Sequence, residues 1–140
     1  MHRVVEILLV EDNADDVRLT MEALKDVQIH HHLTVARDGA EALAVLRSTR
    51  HGSPRPDLVL LDLALPRLDG FEVLSTIKRD PDLRAIPVVI LSASSEERDI
   101  HRAYELQANT FLTKSADLAG LTSVMRLIEK FWLLPRIAGA

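Results

Sequence analysis

The sequence predicts an α/β fold, a three-layer sandwich in which five parallel strands lie between two layers of helices, and three observations carry that expectation. Five short apolar runs alternate with five stretches of helical periodicity, an order that implies right-handed crossovers and a parallel sheet. The runs are nearly continuous in their apolar character, as strands covered on both faces are. Each run also stops at a polar residue, at the end of the sheet where open α/β folds place their working sites. At 140 residues the chain has room for one well-buried core and no second folded module.

Val5 to Val10, broken only by Glu6, forms the first strand and ends at Glu11-Asp12-Asn13. Val17, Met21 and Leu24 then fall three to four residues apart, which predicts a helix from Ala14 to about Val27, capped by Asn13 or Asp12. Leu33 to Ala36 is a brief second strand. The preceding His30-His31-His32 is expected at a turn and solvated, because three consecutive histidines on a strand cannot all face one metal ion. Asp38-Gly39 opens a helix with Ala40, Leu43, Ala44 and Leu46 inward, and His51 to Pro56 is a turn-rich loop.

Leu58 to Leu61 is the most apolar strand and stops at Asp62. Pro66 bars a central strand from continuing, so Ala64 to Gly70 is a loop leading into a helix from Phe71 to about Arg79, with Asp80-Pro81-Asp82 as its stop. Pro87 introduces a strand, Val88 to Leu91, that ends at Ser92, and a polar helix follows from roughly Glu96 to Gln107. Thr110 to Thr113 is the last strand, ending at Lys114. The final helix runs from about Asp117 to Lys130 with Leu121, Val124, Met125 and Ile128 on one side.

Composition narrows the function classes. With 47% hydrophobic and 27% charged residues the chain is neither disordered nor collagen-like. Seventeen Lys and Arg against 21 Asp and Glu leave a net charge of −4, so nothing favours a nucleic-acid partner. The absence of cysteine removes disulfides, thiolate catalysis and cysteine-bound zinc. No apolar run reaches the roughly 18 residues of a membrane span, and no signal sequence opens the chain, so a cytoplasmic location is expected without membrane contact.

The strand-ending residues are Glu11, Asp12, Asp62, Ser92 and Lys114. Carboxylates converging at one sheet end repel, and either protonation of one or binding of a hard cation relieves them, a divalent ion being the economical answer. Magnesium suits such a set because it accepts oxygen ligands, keeps waters and is commonly shared with a phosphate. Asp62 is the best nucleophile, able to attack phosphorus and form an aspartyl phosphate. Lys114 offers a compact positive charge and Ser92 a hydroxyl for the phosphoryl oxygens. Taken singly, each of these residues is as readily structural; Asp12 alone reads as a helix cap. Their sharing one end of the sheet is what favours a phosphoryl-accepting site.

The same residues resemble a known family. Leu9-Val10-Glu11-Asp12-Asn13, Leu60-Leu61-Asp62-Leu63, Leu65-Pro66-Arg67-Leu68-Asp69-Gly70, Ile90-Leu91-Ser92-Ala93 and Phe111-Leu112-Thr113-Lys114 are similar to the motifs of two-component response-regulator receiver domains, over Val5 to about Lys130. The resemblance implies a flavodoxin-like sheet of order 2-1-3-4-5 and Asp62 as phosphoacceptor. It implies magnesium held by Glu11, Asp12 and Asp62, directly or through water, and by the Ala64 backbone carbonyl. Ser92 takes the switch-hydroxyl role, Lys114 pairs with the phosphate, and Phe111 is the aromatic that changes rotamer; as a plain reading, Phe111 is a core aromatic of the last strand. The chain departs from the common pattern at Ser115, where receivers usually carry a proline, often cis, and at Ala64, which leaves more room for an attacking water.

Residues 1–130 then form the receiver domain and 131–140 an apolar extension with no output domain, so the signal passes by protein contact. Phe131, Trp132, Leu133, Leu134 and Ile137 lie past the last predicted helix. They either fold back on their own domain or reach a second copy, which would make a symmetric homodimer. Lys114-Ser115 together with Phe131-Trp132-Leu133 also resembles the small receivers paired with phytochrome-type histidine kinases. Two competing functions are weighed. An aspartate-nucleophile phosphatase needs a second acid where this chain has Ala64, and a non-phosphorylated interaction scaffold has no use for Asp12, Asp62 and Lys114. Nucleotide binding lacks a glycine-rich loop.

Overall fold

The architecture follows from strands whose side chains are apolar on both faces. The computed structural model describes residues 4–135. Its elements are β1 (Val5–Val10), α1 (Ala14–Leu24), β2 (His31–Ala36), α2 (Gly39–Arg47) with a 3-10 turn (Ser48–His51), β3 (Leu58–Leu61), α3 (Gly70–Arg79), β4 (Val88–Ser92), α4 (Glu97–Glu105), β5 (Thr110–Thr113) and α5 (Leu118–Ile128), which continues as a π-helical turn (Glu129–Leu133). The sheet is parallel throughout, in the order β2-β1-β3-β4-β5. No helix among the described residues is long and apolar enough to cross a membrane.

Alternation along each central strand feeds two cores. Leu8, Val10, Val59, Leu61, Val88 and Ile90 point into one, covered by α2, α3 and α4. Ile7, Leu9, Leu58, Leu60, Val89 and Leu91 point into the other, covered by α1 and α5. Each fully buried aliphatic side chain contributes about 1.5–3 kcal/mol, so both faces are needed.

Several details differ from the sequence reading. The strand β2 begins at His31, so His31 and His32 pair with Val5 and Glu6 instead of lying in a turn. At the sheet's edge a strand is extended by backbone pairing and tolerates polar side chains outward; the His32 Nδ1 meets the Glu6 carboxylate at 2.9 Å. On α2 the buried stripe is Gly39, Ala42, Leu43 and Leu46, while Ala40 and Ala44 are exposed. Met21 on α1 is also exposed, and Thr20 is buried in its place. Small residues carry too little apolar area to fix a helix's rotation, so the larger neighbours decide it. The helix α4 is two residues shorter at its C-terminus than predicted, because Gln107 turns left-handed with φ 75°.

The largest correction concerns the C-terminal segment. The chain does not leave the domain at Lys130; Glu129–Leu133 continues the last helix with a wider turn. Ile128 and Leu133, five residues apart, are both fully buried in the α1/α5 core, a spacing that an ordinary α-helix would put on different sides and a π-turn aligns. Leu133 is therefore a core residue and not part of an interface, and Trp132 packs partly buried against the same core. Phe131 and Leu134 stay exposed. Ile137 lies outside the described residues.

Candidate functional site

The sheet ends its strands so that the expected residues meet. The strand β1 delivers Glu11 and Asp12, β3 delivers Asp62, β4 ends in Ser92, and Lys114 follows β5. Glu11, Asp62 and Ser92 are buried, whereas Asp12 is exposed. Glu11, Asp12 and Asp62 each place a carboxylate oxygen within 4.8 Å of the others. The Lys114 Nζ donates to Glu11 Oε1 at 2.6 Å, to Asp16 Oδ2 at 3.1 Å and to Asp62 Oδ2 at 3.3 Å. All of these residues, with Ala64 and Ser92, line one cavity of about 590 Å³.

Local backbone geometry holds the set in place. The Asn13 amide donates to Glu11 Oε2 at 3.2 Å, and the Asn13 side chain caps α1 by accepting from the Asp16 amide at 3.0 Å. The Ala64 amide donates to Asp62 Oδ1 at 3.2 Å, which leaves Oδ2 facing Lys114. Gly70 lets α3 start directly against the acceptor's own backbone; a Cβ there would lie 2.5 Å from the Asp62 carbonyl oxygen and from Leu63 Cα. The loop between them also uses a left-handed residue, Arg67, at φ 63°. No peptide bond among the described residues is cis, so Lys114–Ser115 is trans.

The electrostatics are those of an acid cluster with too few counter-charges. Burial pushes the Glu11 carboxyl up to about 7, with the Lys114 hydrogen bond pulling against it and the Asp62 charge adding to it. Burial alone would depress the Lys114 ammonium, but the hydrogen bonds to Glu11 and Asp16 and the charges of Asp62 and Glu11 hold it above the ordinary lysine range. Carboxylate oxygens so close together suit a hard divalent cation.

The structure brings together every residue that the strand ends named, and adds some that the sequence reading missed. Asp16 is a third partner of Lys114; it stands four residues after Asp12 in the first turn of α1, and that spacing was the available signal. Ser94, Asp99, Phe71 and Arg102 also line the cavity. The Ser94 amide donates to Ser92 Oγ at 3.1 Å, and Ser94 Oγ donates to Asp99 Oδ2 at 2.8 Å, which links the end of β4 to the first turn of α4. No local pattern announces such a link before the fold is known. Phe111 is half-buried against the α2–α4 core, and its amide donates to the Tyr104 hydroxyl at 3.1 Å.

A parallel sheet of this order with three acids and a lysine at its carboxyl edge defines a receiver module of two-component signalling. The chain belongs to the response regulator receiver domain family, whose model matches residues 7–126. It is 50% identical over 129 residues to response regulator Rcp1 of Synechocystis, covering 91% of this chain and 88% of Rcp1. The Mn²⁺-bound form of Rcp1 superposes with a TM-score of 0.83, over 92% of this chain and 94% of that one. The phosphorylated cyanobacterial phytochrome response regulator RcpA gives a TM-score of 0.87 at 49% identity, over 94% and 95% of the two chains. The bacteriophytochrome response regulator AtBRR gives 0.75 at 43% identity, over 93% and 96%.

Proposed function

We propose that this response regulator accepts a phosphoryl group on Asp62 from a phytochrome-type sensor histidine kinase, in a magnesium-dependent reaction, and signals by protein contact in the cytoplasm as a homodimer. The observation that carries the reading is the Asp62 carboxylate, buried at the end of β3 with one oxygen held by the Ala64 amide and the other 3.3 Å from Lys114 Nζ. Transfer forms an O–P bond to Asp62 and breaks the N–P bond of a phosphohistidine, whose imidazole takes up a proton as it leaves. Magnesium, bound by Glu11, Asp12, Asp62 and the Ala64 carbonyl, would neutralise charge on the phosphoryl oxygens. Its choice over other divalent ions is supported by the all-oxygen donor set.

The chain's own residues do the rest. Lys114 bridges three carboxylates before transfer and offers its charge to a phosphoryl oxygen afterwards. Ser92, buried beside the acceptor, supplies a hydroxyl donor, and its inward movement would free space for Phe111 to fill. The protein turns over its own phosphoryl group and is not an enzyme acting on a diffusing substrate. The kinase class is supported by the likeness to RcpA and AtBRR. Dimerisation is supported by the apolar Leu127, Phe131 and Leu134, exposed along the last helix.

The test is phosphorylation by a small phosphodonor with magnesium, followed by intact mass, in the wild type and Asp62→Asn. One phosphoryl group is expected on the wild type, none on the variant and none after chelation. Uptake that survives the substitution defeats the assignment.

A further inference from the structure

The acceptor cavity has two cations on its wall, and they are in different states. Lys114 is committed to Glu11, Asp16 and Asp62. Arg102, on α4, makes no salt bridge with any described carboxylate; its guanidinium carbon lies 4.2 Å from the centroid of the Phe71 ring. Asp99 and Glu105 stand three residues away on either side on the same helix, but Asp99 Oδ2 accepts the Ser94 hydroxyl and Glu105 Oε1 pairs with His101 Nε2. Phe71, at the start of α3, is packed into the core and lines the cavity. Stacking on it holds the guanidinium at the cavity wall with its five N–H donors uncommitted to any carboxylate.

The same cavity is lined by six acids: Glu11, Asp12, Asp16, Asp62, Asp69 and Asp99. An anionic phosphodonor approaching this wall meets repulsion that neither Lys114, already neutralised by its partners, nor a single divalent ion fully offsets. We propose that Arg102 is the phosphoryl-capturing residue: its guanidinium leaves or tilts on the Phe71 ring to contact an oxygen of the incoming phosphoryl group and steers the donor onto Asp62. A cation at the mouth of an acidic cleft raises the capture rate of anions, so the charge of Arg102 is the property at work. The inference rests on Asp62 being the acceptor.

The experiment follows second-order phosphorylation by acetyl phosphate, a dianion, by intact mass at low and high ionic strength. The proteins are the wild type, Arg102→Met, Arg102→Lys and Asp62→Asn, all with saturating magnesium. Met keeps the length and the apolar stack on Phe71 while losing the charge. It is expected to slow uptake about five- to tenfold at low salt, with the gap closing to about twofold near 0.5 M salt, where the Debye length is a few ångströms. Lys is expected to stay within about twofold of the wild type. Equal rates for Met and wild type at low salt, equal losses in Met and Lys, or a loss that salt does not reduce would each overturn the proposal. Should Met fail to fold, Arg102→Gln takes its place under the same criteria. Uptake in Asp62→Asn would instead overturn the acceptor assignment, whatever the Arg102 variants do.

Discussion

Glu11 shows how one side chain couples the site to solution conditions. Its carboxyl is raised to about 7 from an unfolded value near 4.5, so the fold favours the protonated form. That contribution to stability is fully present below pH 4.5 and is lost as pH rises through 7. A divalent cation needs the ionised form and must displace the proton. The expected outcome has two parts: without metal, the unfolding free energy falls between pH 5.5 and 8 through this group by on the order of 2 kcal/mol, read as a lower Tm. With excess cation the fall is reduced or reversed, and cation affinity tightens over the same interval. Thermal melts with chelator and with magnesium check both; a cation-free Tm that rises over this range would contradict the assignment of burial as the cause. Glu11, Asp12, Asp62, Ser92 and Lys114 could be read from the sequence because each terminates an apolar run. Asp16 carried only its spacing from Asp12 as a signal and Arg102 none, since their membership depends on how α1 and α4 are rotated against the sheet.

Helix ends carry information that apolar periodicity does not. The end of α4 is a Schellman closure: the Gln107 amide donates to the Tyr104 carbonyl at 3.0 Å and the Ala108 amide to the Ala103 carbonyl at 3.0 Å. The left-handed residue this demands is Gln107, where glycine carries no Cβ penalty. Gln107→Gly is expected to stabilise the protein by about 0.5–1 kcal/mol, read as a higher denaturant midpoint at unchanged slope; a lower midpoint would show that the Gln side chain has a stabilising role of its own. The wide turn after α5 was equally hidden. A stripe of Leu121, Met125 and Ile128 predicts the helix, but only the requirement to bury Leu133 as well explains the inserted residue. By contrast β1, β3 and β4 were legible almost to the residue, because a strand buried on both sides has no polar alternative.

The fold class and strand order follow from the alternation of elements and the family motifs, and the sheet adopts that order. What sequence alone misplaced is the boundary of the domain. Leu133 belongs to the α1/α5 core, so cutting the chain after Lys130 would test stability and association together. Substitution of the exposed pair separates them. If the proposed homodimer forms through these side chains, Phe131→Glu with Leu134→Glu is expected to give a folded monomer by light scattering and the wild type a dimer, with Tm at low concentration changed little. A dimer that persists in the double variant would place the interface elsewhere.

The last helix also reaches back across the whole chain. The Glu129 carboxylate accepts the amides of Gln28 and Ile29, at 2.8 and 3.1 Å, from 101 and 100 residues away, and Leu133 fills the layer beneath. Those amides cannot gain this partner during synthesis until Glu129 has left the ribosome. One side of the sheet therefore stays unsealed while the other can already close, and a nascent chain exposes its α1-facing strands until α5 and Leu133 have emerged.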